Sequence, residues 1–171
     1  MAPAPRPLAE WVCLAIVAES PAHGWSVARV LAPGGDVGRV WSLSRPLTYR
    51  ALARLVAEGL LTESRREHGA GAARTVLTAT PAGRRAVRRW LRTPVAHLRD
   101  VRTELLVKLA LSVRAGVDPA PLLQAQRATF GPAIAALDRR ARARDADAVD
   151  RWRRVSSQAV LRFLDGELRR Q

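Results

Sequence analysis

Apolar residues recur along this chain with two periods, and the places where the period changes divide it into elements. Leu8, Trp11, Val12, Leu14, Ala15, Ile16 and Val17 make Leu8 to Glu19 apolar nearly all round, which predicts a helix covered on more than one side. One side can pack on the core formed with the elements that follow, and the other needs a cover from the C-terminal region or from a second subunit. Gly24 to Leu31 reads as a second helix, ended by Pro33-Gly34-Gly35. A third runs between Ser44, placed to cap its first turn, and Gly59, placed to stop it, with Pro46 tolerated near its start. On its wheel Leu47, Ala51, Leu52, Leu55 and Val56 fall on one arc, while Arg50, Ala53, Arg54 and Ala57 fall on the other. The pattern then shortens: Leu60 to Glu67 and Arg74 to Thr80 read as strands, joined by a Gly/Ala-rich tip from His68 to Ala73. Thr80-Pro81 repeats the cap-plus-proline start and opens a helix through Leu91, with Val87 and Leu91 inward and Arg84, Arg85, Arg88 and Arg89 outward.

The second half is helical by periodicity. Leu105, Leu106, Leu109, Ala110 and Val113 stripe the segment Arg102 to Arg114, and a turn at Gly116 and Asp118-Pro119 follows. Leu122 to Arg144 is a second helical run, with a kink expected at Gly131-Pro132. Asp147 to Leu168 is a third, with Val149, Trp152, Val155, Ala159, Val160, Phe163, Leu164 and Leu168 at spacings of three and four. Such stripes suit a seam with other helices. Proline at Arg92-Thr93-Pro94 marks the boundary, giving a first domain over 1–92, with 1–7 a disordered tail, and a C-terminal helical dimerisation region over 93–171.

Helix, helix, hairpin and capped helix in that order describe a winged helix-turn-helix, a mainly α fold with a small β-hairpin wing. Double-stranded DNA is the partner such a fold implies. Arginines interleaved with alanines suit the major groove, because a guanidinium forks onto a guanine edge and small neighbours permit close approach. Ser44, Arg45, Thr48, Tyr49, Arg50 and Arg54 are the candidate contacts from the recognition helix, with the Tyr49 ring packed inward and its hydroxyl toward a phosphate. Arg65, Arg66 and Arg74 flank the wing tip and are placed to follow the sugar-phosphate backbone. A basic helical face alone is more commonly a solvated surface; the wing that follows it points to DNA.

Charge agrees with that reading and does not localise it. The chain of 171 residues has 29 Lys+Arg against 15 Asp+Glu, a net charge of +14, and its only lysine is Lys108. The first 92 residues hold 14 basic and 6 acidic side chains, +8; the remainder holds 15 and 9, +6. Such an excess points to a polyanion. The basic clusters at Arg139 to Arg144 and Arg151 to Arg154 read as solvated helix faces paired with Asp145, Asp147 and Asp150. Cys13, the single cysteine, lies in an apolar run and reads as core, consistent with a reducing cytoplasm. No apolar run approaches the roughly 20 residues of a bilayer span. His23, His68 and His97 lack the Cys or carboxylate spacing of a metal site, so no catalytic residue, metal or cofactor is expected.

Specific residues also resemble the PadR family of winged-helix transcriptional regulators. His23-Gly24-Trp25 resembles the family's His-Gly-Tyr at the second helix, Tyr49-Arg-Ala-Leu-Ala-Arg-Leu55 with Glu58-Gly-Leu60 resembles its recognition helix, and Thr80-Pro-Ala-Gly-Arg84 with Trp90-Leu91 resembles the segment after its wing. Pro46-Leu47-Thr48 departs from the family's usual Gly-Thr-Leu, and Leu77 stands where Tyr is usual. The resemblance implies a homodimer, repression at a palindromic promoter site, and response to a small aromatic or drug-like effector, for which Trp11, Trp90 and Trp152 are candidate contacts. A winged-helix module used for assembly or for weakly specific, architectural DNA binding is the competing class.

Overall fold

The computed structural model describes residues 6–67 and 74–170. Its helices are α1 (Leu8–Glu19), α2 (Gly24–Val30), α3 (Arg45–Ala57), α4 (Pro81–Arg92), α5 (Glu104–Arg114), α6 (Ala120–Ala141) and α7 (Ala148–Leu168), with a 3-10 turn at Leu98–Arg102. The strands β1 (Ala22–His23), β2 (Leu61–Glu67) and β3 (Arg74–Ala79) form an antiparallel sheet in the order β1-β3-β2. The hairpin β2-β3 is the predicted wing. Two residues between α1 and α2 supply the unpredicted third strand, pairing Ala22 with Leu77 and His23 with Val76.

The chain forms two compact units. One comprises Met1–Leu91 with Leu106–Val117, the other Arg92–Leu105 with Asp118–Gln171. The chain passes to the second unit at Arg92, and the segment 106–117 returns to the first. Val107 and Leu111 of α5 belong to the same core as α1, and Arg114 binds Glu19 at 3.1 Å. Of the two covers expected for α1, a C-terminal helix is the one found. Val12 to Val17 are all buried, in a cluster drawn entirely from the first unit. The buried side of α5 carries Leu105, Val107, Lys108, Leu111 and Ser112, whereas Val113, expected in its apolar stripe, is 75% exposed. Tertiary packing has thus rotated the stripe away from the phase that hydropathy suggests.

Local chemistry explains the edges of the winged unit. Gly59, at φ 68°, ends α3 in a left-handed turn that only glycine adopts cheaply. Its N–H donates to Val56 O, and Leu60 N–H donates to Leu55 O, the paired bonds of a Schellman stop. Thr80 starts α4: its hydroxyl accepts from Gly83 N at 3.1 Å while donating to Gly59 O at 2.9 Å. One side chain therefore caps a helix and pins it to the end of another.

In the second unit α6 packs along α7. Gln126, wholly buried on α6, accepts from Val95 N at 2.7 Å and donates to Val95 O at 2.9 Å, as a strand neighbour would. Asp147 and Asp150 close a reciprocal capping box on α7, with Asp150 N–H donating to Asp147 at 2.8 Å. The basic clusters are paired with acidic neighbours, as expected: Arg140 meets Asp145 at 2.7 Å and Asp150 at 3.0 Å. Asp138, not anticipated, takes Arg154 at 2.8 Å and Arg142 at 2.7 Å. The inward side of α7 is not the apolar stripe read from sequence. Asp150, Ser157 and Leu164 are its buried residues, while Val149, Trp152 and Val155 are 52%, 69% and 54% exposed.

Candidate nucleic-acid interface

The inner side of α3 is made by Thr48, Ala51, Leu52 and Leu55. Thr48, expected to contact DNA, is instead fully buried and donates its hydroxyl to Ser44 O at 3.0 Å. Ala51, Leu52 and Leu55 are buried as the sequence reading places them, and the arc departs from it in the first turn, where Leu47, expected inward, is 43% exposed. Ser44 makes no side-chain capping bond, and its own side chain is exposed. What α3 presents outward is Arg45, Tyr49, Arg50, Ala53, Arg54 and Ala57.

The His23-Gly24-Trp25 segment shapes the neighbouring surface. His23 Nδ1 lies 3.2 Å from Thr75 O, holding the start of α2 to β3. A Cβ on Gly24 would lie 2.8 Å from Tyr49 Cε1, so the missing side chain is what lets the Tyr49 ring rest there. Between α2, α3 and the wing strands lies an open groove of about 730 Å³, walled by Trp25, Arg45, Tyr49, Leu52, Glu63 and Leu77 among others.

The outward arginines differ in what holds them. Arg45 lies over the Tyr49 ring at 5.8 Å, and Arg29 of α2 lies over Trp25 at 4.9 Å, each guanidinium pre-positioned by an aromatic face. Arg50 is exposed and makes no ion pair with any described residue. Arg54 is 60% exposed yet approaches Glu10 of α1 at 3.3 Å and Glu58 at 4.0 Å. Those carboxylates are also bound by Arg6, at 2.8 and 2.5 Å. Arg6, assigned from sequence to a disordered tail, is thus placed by ion pairs; residues 1–5 of that tail lie outside the described residues. The wing tip at 68–73 and the side chains of Arg65, Arg66 and Arg74 lie outside them as well. The ion pairs joining Arg6 to Glu58 span 52 positions, and the hydropathy pattern carried no signal of them.

Two of the three candidate effector tryptophans come together, and not as an open platform. Trp11 and Trp90 stack with centroids 5.4 Å apart and planes 2° from parallel, and Trp90 is only 6% exposed. The ammonium of the buried Lys108 sits 5.0 Å from the Trp90 centroid. Trp90 is a core anchor of the first unit. Trp152 belongs to the second unit. Burial, with the Glu10 charge beside it, pushes the Cys13 thiol up to about 12, so it stays protonated and unreactive. Among the described residues, no cluster of His, Cys, Asp and Glu fits a metal ion, and no helix is long and apolar enough to cross a membrane.

A helix-turn-helix with a hairpin wing and an exposed basic recognition helix defines a winged-helix domain of the DNA-binding class. Over residues 13–89 the chain is similar to the transcriptional regulator PadR-like family. Among solved structures it is similar to Bacillus subtilis PadR in complex with operator DNA, at 16% identity and TM-score 0.51, covering 96% of this chain and 99% of that one. It is also similar to Bacillus subtilis PadR in complex with p-coumaric acid (15%, TM-score 0.45, 93% and 95% covered) and to the Vibrio cholerae virulence activator AphA (22%, TM-score 0.43, 94% and 92% covered). The first of these establishes the fold; no curated protein matches the sequence.

Proposed function

We propose that this chain is a cytoplasmic, homodimeric, sequence-specific DNA-binding repressor that acts by occupying a pseudo-palindromic promoter site. The observation that carries the reading is the outward face of α3, where Arg45 and Arg50 stand exposed beside small alanines on a helix whose other side is locked into the core. Ser44, Arg45, Tyr49, Arg50 and Arg54 form the reading surface. Arg65, Arg66 and Arg74 of the wing supply phosphate contacts, which position the protein without specifying sequence. We assign the chain no catalytic role.

Dimerisation rests on α7. Val149, Trp152 and Val155 recur at spacings of three on one side of that helix, and each is more than half exposed. Three large apolar side chains in a row on one helix are a seam awaiting another helix. Two copies present two recognition helices, which suits half-sites about one helical turn, roughly 34 Å, apart. Release by a small aromatic effector completes the regulatory reading. Trp152, with its ring exposed on α7, is a better contact for such a ligand than the stacked Trp11-Trp90 pair.

The test is selection of duplexes from a random-sequence pool, followed by competition against random duplex at matched salt. A regulator enriches a palindromic site that outcompetes random DNA by roughly a thousandfold or more. Equal competition would favour an architectural or assembly role instead.

A further inference from the structure

The carboxylates beside the recognition helix point to control of Arg54 from outside that helix. Glu10, on α1, has a side chain only 5% exposed, and a buried carboxylate demands a cation. Two guanidinium groups reach it, Arg6 at 2.8 Å and Arg54 at 3.3 Å. Glu58, at the end of α3, is shared by the same pair, with Arg6 at 2.5 Å and Arg54 at 4.0 Å. The four side chains form a neutral quartet. Within it the two arginines are unequal: Arg6 is nearer to both carboxylates and 20% exposed, whereas Arg54 is more distant and 60% exposed. Arg6 is further held by the Trp11 ring, whose centroid lies 5.4 Å from its guanidinium carbon.

We infer that Arg6 is a positioning residue whose task is to leave Arg54 free for DNA. This rests on the reading of α3 as the DNA-reading helix. When Arg54 swings outward onto a base edge, Arg6 keeps Glu10 and Glu58 paired, and the swing leaves no buried charge unsatisfied. Without Arg6 the same swing strips Glu10 of its last cation, so the carboxylates retain Arg54 and the helix reads with one arginine fewer. Arg6 thereby governs recognition without touching DNA.

The experiment uses the duplex that the full-length protein enriches from a random-sequence pool. Affinities of wild type, Arg6→Ala, Arg54→Ala and the double variant are compared at one salt concentration. Arg6→Ala should weaken binding roughly tenfold, in the range of removing one charge-paired contact. In the Arg54→Ala background it should add nothing. Repeating the selection with Arg6→Ala should relax the same base pair that Arg54→Ala relaxes, a change that simple loss of stability does not produce. Glu58→Gln added to Arg6→Ala should recover part of the affinity, because one captor of Arg54 is gone. An equal loss in both backgrounds means that Arg6 contacts DNA itself, and wild-type binding by Arg6→Ala means that the quartet is inert; either overturns the inference. If Arg50→Ala still weakens binding in those cases, the DNA-reading role of α3 stands without it. If the wild-type protein enriches no duplex, both fall together.

Discussion

The two units of this molecule both bury aliphatic and aromatic side chains, and they differ in what their outer helices leave exposed. In the first, aliphatic and aromatic side chains fill one cluster from Val12 to Leu111, and arginines line the outside. In the second, α7 turns Asp150 and Ser157 inward and leaves Val149, Trp152 and Val155 in solvent. The winged unit is complete by the ordinary criterion of apolar residues inside. Along α7 of the helical unit that criterion is met only in part, since Leu164 is buried while Val149, Trp152 and Val155 stand exposed, and the proposed dimer rests on that exposed row.

Tryptophan substitutions break this contrast most forcefully. Trp90→Ala removes a ring that is 6% exposed and stacked on Trp11, and should lower the unfolding free energy by about 3–5 kcal/mol. Chemical denaturation followed by circular dichroism measures this. A loss below about 1 kcal/mol would show that the ring is not a core anchor. Trp152→Ala, on a residue 69% exposed, should leave the melting of the isolated subunit within about 0.5 kcal/mol.

Assembly should show the reverse order. Trp152→Asp with Val155→Asp places two charges in the apolar row of α7, and sedimentation should shift from dimer to monomer at micromolar concentration. Affinity for a palindromic duplex should then fall at least tenfold, since the second half-site contact is lost. Wild-type protein sedimenting as a monomer under those conditions would remove the dimer from the proposal.

The same contrast shows what was legible in the sequence. Signals carried by neighbours in the chain were readable: the bounds of α1, the Gly59 stop, the wing strands and the Thr80-Pro81 start all depend on residues within a few positions. Signals decided by distant partners were not. Hydropathy places Ala51, Leu52 and Leu55 inward correctly but also places Leu47 inward and leaves Thr48 available to DNA, whereas Thr48 is buried and donates to Ser44 O. The return of 106–117 to the first unit has no local mark at all. On α7 a wide apolar stripe does not say which half of it faces α6; Asp138, seated between Arg154 and Arg142, settles that from the neighbouring helix. Of the predicted DNA contacts, the positions of Arg45, Tyr49 and Arg50 follow from the helical wheel, whereas the tether on Arg54 depends on Glu10, forty-four positions earlier.

Arg50 sharpens the comparison within the winged unit, because it is exposed and has no ion-pair partner among the described residues while Arg54 is tethered. Arg50→Ala should lower affinity for the selected duplex by about 1–3 kcal/mol and relax specificity at one base pair. Its thermal stability should match wild type, since no described residue loses a partner. Equal affinity of mutant and wild type across specific sites would remove Arg50 from the reading surface.

The smallest effect belongs to the polar joint of the second unit, and it depends on pH. Asp138 accepts from Arg154 and from Gln158, at 2.8 and 3.2 Å, and lies 2.7 Å from Arg142, so its carboxyl is held below the ordinary aspartate range, chiefly by the Arg154 hydrogen bond. A group depressed in the folded state stabilises it above the unfolded value, about 3.9 for aspartate, and loses that contribution as pH falls through the folded value. Asp138→Asn should therefore melt slightly below wild type at pH 7, and the gap should shrink steadily on acidification below about pH 4. The group is solvent-accessible, so screening keeps the gap small and added salt should narrow it further. A difference in melting that stays constant from pH 7 to pH 2 would mean that the asparagine perturbs packing, and that the α6-α7 joint does not draw on the charge of Asp138.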